Sequence, residues 1–499
     1  MIGKKELKNF EKKGYRRDAH VGKAGLEKAF EDELRGRDGL KTVMVDALGW
    51  PRNETVTCKP VIGNTLELTI DFEMQMALER AIEGKQGAAV LLDTATGDIL
   101  AMASYPVFDP NLFIRFIPSG EWSRLKDKKR TPLTNRALEG EYQPGSTFKV
   151  VTGCAALKHE VLDESTSILC NGRFSLGKRV AFCWKPGGHG NVQFRRAISQ
   201  SCNVYFYTIG SEIDVSDLAD VSLAFGLGYK TGICLSNERT GIIPDDKWRK
   251  IRNKNGKTPW TRGDTVNSAI GQGDVLVTPL QMARVAAAVT NGGKVFRPRL
   301  IRRIISPDGD IISETSVEEV SNLQLTPEIL DPLRDGMKEC VQAGTAWRTK
   351  IKGVTVLGKT GSAENPGRKT HAWFIGAMET HTPSVAIAVL LENAGAGGSN
   401  AVPVAFKAFT AVKEIIERRN KEKKGNKIKS MVGKNIGTFT LTGELSVSDS
   451  LLTSSTDPSR LTTDSASYEN VIEVDHLGVD PDDVEGYGAG EDELYMGTL

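Results

Sequence analysis

Tyr142-Gln143-Pro144-Gly145-Ser146-Thr147-Phe148-Lys149, running on into Val150-Val151, places a Pro-Gly breaker directly before a hydroxyl and an amine three residues apart. That spacing is about one helical turn, so Ser146 and Lys149 come onto one face. A serine hydroxyl is a poor nucleophile at neutral pH, and a lysine within hydrogen-bond reach supplies the proton acceptor it needs. The start of a helix adds unpaired backbone N–H groups that can stabilise an oxyanion. Val150, Val151, Cys154, Ala155 and Leu157 follow as an apolar helical stripe that fixes the pair against a core.

A Ser-x-x-Lys pattern arises by chance about once or twice in a chain this long, and Ser123 to Lys126 is a second copy. It opens the charged run Lys126-Asp127-Lys128-Lys129-Arg130, which reads as a solvated loop. Two further motifs favour Ser146. Ser201-Cys202-Asn203 opens the aromatic stretch Tyr205-Phe206-Tyr207, and Lys359-Thr360-Gly361-Ser362 follows the strand-like Val354-Thr355-Val356-Leu357 and precedes Ala372-Trp373-Phe374-Ile375. Lys230-Thr231-Gly232 repeats the Lys-Thr-Gly spelling after the turn-rich Gly226-Leu227-Gly228-Tyr229, a context suited to a surface loop. A strand entering a hairpin, as at Lys359, can hold a substrate as an added strand.

Leu66 to Ile70 reads as a strand, after which Asp71 can cap a helix through Ile82. Ala88 to Leu92 and Ile99 to Ala103 flank the hairpin signal Thr94-Ala95-Thr96-Gly97. Helical segments are expected at Thr147–Leu157, Leu280–Thr290, Glu328–Val341 and Val402–Arg418, and strands at Val354–Leu357, Trp373–Met378 and Val385–Leu391. Hairpins flanked by runs of helix argue for an α+β fold with an antiparallel sheet.

With Ser-x-x-Lys, Ser-x-Asn and Lys-Thr-Gly in this order, the chain resembles the transpeptidase domain of class B penicillin-binding proteins. The resemblance extends from about Val21 to Arg418. It includes Val21 to Glu27, Tyr142 to Lys149, Gly188-His189-Gly190, Gly263-Asp264-Thr265-Val266-Asn267-Ser268-Ala269-Ile270-Gly271-Gln272-Gly273, Thr278-Pro279-Leu280-Gln281 and His371 to Gly376. The Gly263–Gly273 segment and Arg35-Gly36-Arg37-Asp38-Gly39 resemble the elongation-type members, called penicillin-binding protein 2. The resemblance implies helices on both faces of the sheet, as in the β-lactamase-like fold. It implies cross-linking of peptidoglycan stem peptides by attack on the D-Ala-D-Ala bond and transfer of the acyl group to a neighbouring amine, with covalent inhibition by β-lactams. On that basis Ser146 is the expected nucleophile and Lys149, desolvated among other cations, its base. Ser201 relays a proton to the departing D-Ala, and Asn203 holds the peptide. Lys359 supplies positive potential for the substrate carboxylate, with Thr360 and Ser362 as hydroxyl donors. The backbone N–H groups of Ser146 and Ser362 form the oxyanion hole, and Gly361 lets the substrate lie close to the strand.

Acyl transfer of this kind requires no cofactor. The seven cysteines leave an odd thiol under any disulfide scheme. Some elongation-type relatives carry zinc near the active site, and here Cys170, Cys183, His189 and Cys202 form a complete tetrahedral donor set for structural zinc. A Cys170–Cys183 disulfide, or buried thiols with His189 capping a loop, accounts for the same residues.

A chain of 499 residues, 39% hydrophobic and of formal net charge +2, has room for one large domain with appendages and no basic excess that points to nucleic acid. Apolar runs such as Val385 to Leu391 fall far short of the ~20 residues of a membrane span. The lysine-rich amino terminus has no signal-peptide core. The family usually begins with a membrane anchor and a long pedestal, so residues 1–60 are expected to be a pedestal remnant, 61–418 the transpeptidase domain, and the chain a fragment of an inner-membrane protein facing the periplasm or cell exterior. No glycosyltransferase domain is expected, so a separate glycan polymerase is the expected partner. Residues 419–499, basic and then acidic with few large apolar groups, are expected to be a disordered tail. A D,D-carboxypeptidase, a serine β-lactamase or a penicillin-sensing module would share the motifs. The absence of an evident deacylating glutamate near Ser201 disfavours rapid hydrolysis.

Overall fold

Seven-residue runs such as Val385-Ala-Ile-Ala-Val-Leu-Leu391 have no polar face, so they can be strands only if covered on both sides. The structure, a computed structural model describing residues 7–16, 19–114, 116–252, 258–380 and 384–435, covers them in that way. Strands β1 (Gly87–Asp93), β2 (Ile99–Tyr105), β3 (Thr355–Ala363), β4 (His371–Glu379) and β5 (Val385–Leu391) form one antiparallel sheet in the order β3-β4-β5-β1-β2. Alternate side chains enter two separate cores. Val90, Leu92, Ile375, Ala386 and Ala388 face one. Ala89, Leu91, Phe374, Ile387 and Val389 face the other.

The first core is filled by α2 (Lys149–Lys158), α3 (Asn203–Glu212) and α4 (Pro279–Thr290). The second is filled by α1 (Phe72–Ile82) and by the apolar side of α6 (Gly397–Asn435). Between α4 and α6 in sequence, α5 (Pro327–Gln342) packs against β3. Local signals set the helix starts. Asp71 accepts a hydrogen bond from the Met74 N–H at 3.2 Å, and Thr278 and Gln281 cap each other around Pro279 at the first turn of α4.

Three expectations need correction. Ser123 lies not in a loop but on a short helix, Ser119–Leu125, where its hydroxyl donates to the Ser119 carbonyl. The nucleophile segment is not α-helical from Thr147. Gly145–Phe148 forms a 3-10 turn, and the α-helix begins at Lys149. Finally, α6 does not stop at Arg418 but runs on to Asn435, because Lys, Glu and Arg are good helix formers and pair four residues apart, as in Lys413–Glu417 and Arg418–Glu422. The described residues up to Glu417 pack as one unit, and from Arg418 the described residues are the remainder of this helix. The rest of the expected tail, 436–499, lies outside the described residues.

Before the sheet, Leu40–Val45 and Pro51–Cys58 pair as an exposed antiparallel hairpin. Among the described residues no helix is long and apolar enough to cross a membrane.

Candidate active site

Strand β3 is an edge of the sheet, and the turn carrying Ser146 is pressed against it by two glycines. Gly145 adopts φ +54°, and a Cβ there would sit 2.7 Å from the Ser362 carbonyl oxygen. A Cβ on Gly361 would sit 2.9 Å from the Pro144 oxygen and from Thr147 Cγ2. Gly361, expected to admit substrate, is therefore filled on its own side by the Pro144–Thr147 turn. From below, the Gly145 N–H donates to the Gly271 carbonyl at 2.9 Å, and Gln272 Nε2 donates to the Ser362 carbonyl at 3.4 Å. The Gly263–Gly273 segment thus buttresses both the turn and the strand.

The start of the turn is anchored by a buried polar network. The Tyr142 hydroxyl donates to Glu392 Oε1 at 2.6 Å, where the buried Arg136 Nε also donates at 2.9 Å. Gln86 Nε2 serves Glu392 Oε2, and Trp373 Nε1 donates to the Gln143 carbonyl.

Ser201 and Asn203 arrive from the turn between the helix Phe194–Ser199 and α3. The Cys202 N–H donates to the Ala197 carbonyl and the Ser201 N–H to that of Ile198, a helix end at which Ser201 takes the left-handed position usual for glycine, φ +55°. A serine held in that strained conformation marks a position where the side chain matters more than backbone ease. The indole N–H of Trp184 donates to the Gln200 and Ser201 carbonyls and steadies the turn.

Two fully buried lysines meet at Ser201. Lys149 Nζ donates to Asn203 Oδ1 at 2.6 Å and to the Ser201 carbonyl at 3.0 Å, and it lies 3.3 Å from Ser201 Oγ. Lys359 Nζ donates to Ser201 Oγ and to the Thr360 carbonyl, both at 2.9 Å. Burial, with the neighbouring Lys359 charge, holds Lys149 well below the usual lysine range. Lys359 is lowered by burial to about 8. Asn203 Nδ2 donates to the Phe182 carbonyl at 3.3 Å, which turns the amide oxygen toward Lys149.

Ser146 lies half-buried on a cleft of about 750 Å³ that Ser201, Asn203, Thr360, Gly361 and Ser362 also line. Among the described residues no hydrogen bond joins Ser146 to Lys149, whose amine is engaged by Ser201 and Asn203. The Thr360 hydroxyl bonds that of Thr345 at 2.6 Å, and Ser362 Oγ accepts from the Gly397 N–H at 3.2 Å. The alternative Lys-Thr-Gly lies apart from the cleft in a loop without regular structure, its Thr231 hydroxyl buried on Glu238.

The cleft also contains residues that no motif marks: Trp184, Thr345, Trp347, Arg348 and Glu364. Its place just after the Lys359–Ser362 motif, one residue past the end of β3, could have marked the last of these. The remainder come from distant loops and carry no local signal.

Cys170, Cys183, His189 and Cys202 come together, with their donor atoms all within 4.8 Å of one another. The expected alternative of a Cys170–Cys183 disulfide is not found, since all of these cysteines are free. His189 Nδ1 stands 3.5 Å from Cys170 Sγ and 3.4 Å from Cys183 Sγ, while its buried Nε2 has no hydrogen-bond partner. The Cys183 thiol is lowered to about 4 by a hydrogen bond from Cys202 together with backbone N–H donors, and Cys202 is correspondingly raised. A clustered thiolate, two further thiols and an imidazole suit a tetrahedral soft cation.

Comparison with known proteins agrees with this geometry. The penicillin binding protein transpeptidase domain model matches residues 87–410, and the penicillin-binding protein dimerisation domain model matches residues 1–68. The peptidoglycan D,D-transpeptidase MrdA of Acinetobacter baumannii is 34% identical over 426 residues, which are 80% of this chain and 62% of that protein. The chain therefore spans less than two thirds of the length of that relative. Pseudomonas aeruginosa PBP2, solved in complex with WCK 5153, superposes with TM-score 0.71 at 31% identity, covering 82% of this chain and 86% of that one. A chain from a peptidoglycan synthase complex that coordinates polymerization and crosslinking matches with TM-score 0.71 at 34% identity, covering 80% and 72%. Helicobacter pylori PBP2, solved with MreC, matches with TM-score 0.68 at 31% identity, covering 82% and 75%.

Proposed function

The chain belongs to the penicillin-binding transpeptidases of class B, in the branch of PBP2 and MrdA, and from that premise we propose that it is a peptidoglycan D,D-transpeptidase of cell elongation. The observation that carries the reading is the junction at Ser201 Oγ, which Lys359 contacts at 2.9 Å and Lys149 at 3.3 Å on a cleft shared with Ser146.

A neutral Lys149 amine has two N–H bonds, matched by Asn203 Oδ1 and the Ser201 carbonyl, and a lone pair left for the Ser146 proton. Ser146 Oγ attacks the carbonyl of the penultimate D-Ala, and the resulting oxyanion lies against the N–H groups of Ser146 and Ser362, worth about 3 kcal/mol for each donor. As the C–N bond breaks, Ser201 gives its hydroxyl proton to the departing D-Ala nitrogen and is reprotonated from Lys149. Lys359, mostly cationic near neutrality, holds Ser201 Oγ and adds positive potential for the substrate carboxylate at Thr360 and Ser362. An acceptor amine then attacks the Ser146 ester and loses its proton along the same route. β-Lactams enter as analogues of the donor terminus and acylate Ser146. The only carboxylate lining the cleft among the described residues, Glu364, comes from the end of β3 and not from the Ser201 side, which favours a long-lived acyl-enzyme.

The site works at an extracytoplasmic face beside a glycan polymerase, in keeping with the synthase-complex relative. Residues 1–60 serve as pedestal, 61–418 as the transpeptidase domain and 419–499 as a tail. The Cys170-Cys183-His189-Cys202 set would hold a structural zinc ion, through which these residues would steady the segment carrying Ser201 and Asn203.

Fluorescent penicillin labelling with Ser146→Ala as control tests the nucleophile, and D-Ala release from a stem pentapeptide with and without an amine acceptor tests the transfer. No adduct on Ser146 in folded protein would refute the assignment. Metal analysis of the purified chain and of Cys202→Ala tests the zinc: about one equivalent is expected, lost in the variant, and near zero in both excludes it.

A further inference from the structure

Thr360 and Ser362, two apart on β3, share a face, and Glu364 follows one residue past the end of that strand; all three line the cleft that holds Ser146. Glu364 is exposed, and among the described residues it makes no hydrogen bond or ion pair. The cationic residues on the same cleft, Lys185 and Arg348, leave it unneutralised, and the Arg348 guanidinium lies against the Trp347 ring.

Under the transpeptidase reading, on which this inference rests, the donor adds to β3 as an antiparallel strand with its carboxylate at Thr360 and Ser362. Antiparallel pairing steps one residue on each strand, about 3.4 Å at a time. With the scissile carbonyl at the Ser362 N–H, the third residue from the carboxyl end comes level with Ala363 and Glu364. In stem peptides built on a diamino acid, that residue carries the second amino group.

We propose that Glu364 is a specificity-determining residue that pairs with the protonated ω-amine of the donor's third residue and so selects strands not yet cross-linked through that amine. An acylated ω-amine has no charge to offer and loses this contact. Cross-linked strands are thereby disfavoured as donors while remaining usable as structural neighbours.

The test compares Nα-acetyl-Lys-D-Ala-D-Ala with its Nε-acetylated form, measuring D-Ala release by the wild-type chain, Glu364→Gln and Glu364→Lys. A preference of roughly two- to fivefold in kcat/KM for the free amine is expected at low salt, the range of a solvent-exposed ion pair. It should fall with ionic strength, approach unity in Glu364→Gln and invert in Glu364→Lys. Equal rates in the wild type, or an unchanged ratio in Glu364→Gln, overturn the proposal. If neither peptide is turned over, the same pair is compared as competitors of fluorescent penicillin acylation, and equal protection overturns it in the same way. Loss of penicillin labelling at Ser146 in the wild type would instead sink the transpeptidase reading itself.

Discussion

Replacing Gly145 by alanine should separate the nucleophile turn from the strand it serves. The residue sits at φ +54°, where a Cβ costs about 1–2 kcal/mol. The new methyl would stand 2.7 Å from the Ser362 oxygen and 2.9 Å from its carbonyl carbon, both backbone atoms. Ordinary contact begins near 3.4 Å, so turn and strand must part by about 0.5–0.7 Å, adding roughly 1–3 kcal/mol of overpacking. The shift falls between Ser146 and the Ser362 N–H, the two sides of the proposed oxyanion site, where small displacements cost about 10- to 100-fold in rate. The assay is the second-order rate of fluorescent penicillin acylation, read beside thermal melting. Gly84→Ala is the control, because Gly84 has φ +72° with nothing within 4 Å of a built Cβ, and so carries the backbone strain without the clash. Gly145→Ala acylating within twofold of wild type, with an unaltered melting curve, would refute the argument that this contact sets the geometry.

Glu392→Ala leaves the buried Arg136 uncompensated and should lower unfolding stability by about 3–5 kcal/mol in denaturant titration, more than Tyr142→Phe, which removes one hydrogen bond to the carboxylate, about 1.5–3 kcal/mol. Acylation rate should decline on the alkaline side near pH 8, because Lys359 is a cation below its pKa of about 8 and neutral above it; a rate still rising well beyond that pH would contradict its role. On the acid side the rate should rise with pH as Lys149, held well below the usual lysine range, loses its proton. Gly361→Ala should slow acylation as Gly145→Ala does, since its Cβ meets the Pro144 oxygen and Thr147 Cγ2 at 2.9 Å from the opposite side.

The strands and the three motifs were legible because each is a local pattern. Val385–Leu391 is apolar throughout and is buried on both faces, and Asp71 and Thr278 cap the helices that follow them. Less visible was what depends on segments meeting across the fold. Gly361 reads locally as room for a substrate, yet the atoms nearest a side chain there belong to the Pro144–Thr147 turn, from a much earlier part of the chain. Trp184, and Thr345 with Arg348, reach the cleft from two segments far apart in the chain, and nothing in their own neighbourhoods says so. Charge composition also misled in two places: Ser123 lies on a helix, and α6 runs on past Arg418, because lysine and glutamate that look merely soluble also propagate helix.

The unpaired margin of β3 has a further effect. Bare strand margins invite other sheets to join, which is how folded proteins aggregate. Here that margin runs along a cleft of about 750 Å³ that Ser146, Trp184 and Trp347 also line. A space of that size takes one extended peptide segment, whereas a second sheet needs a whole open flank. Under the proposed function, the chain can thus keep that docking margin open for a substrate strand while discouraging association with its own kind.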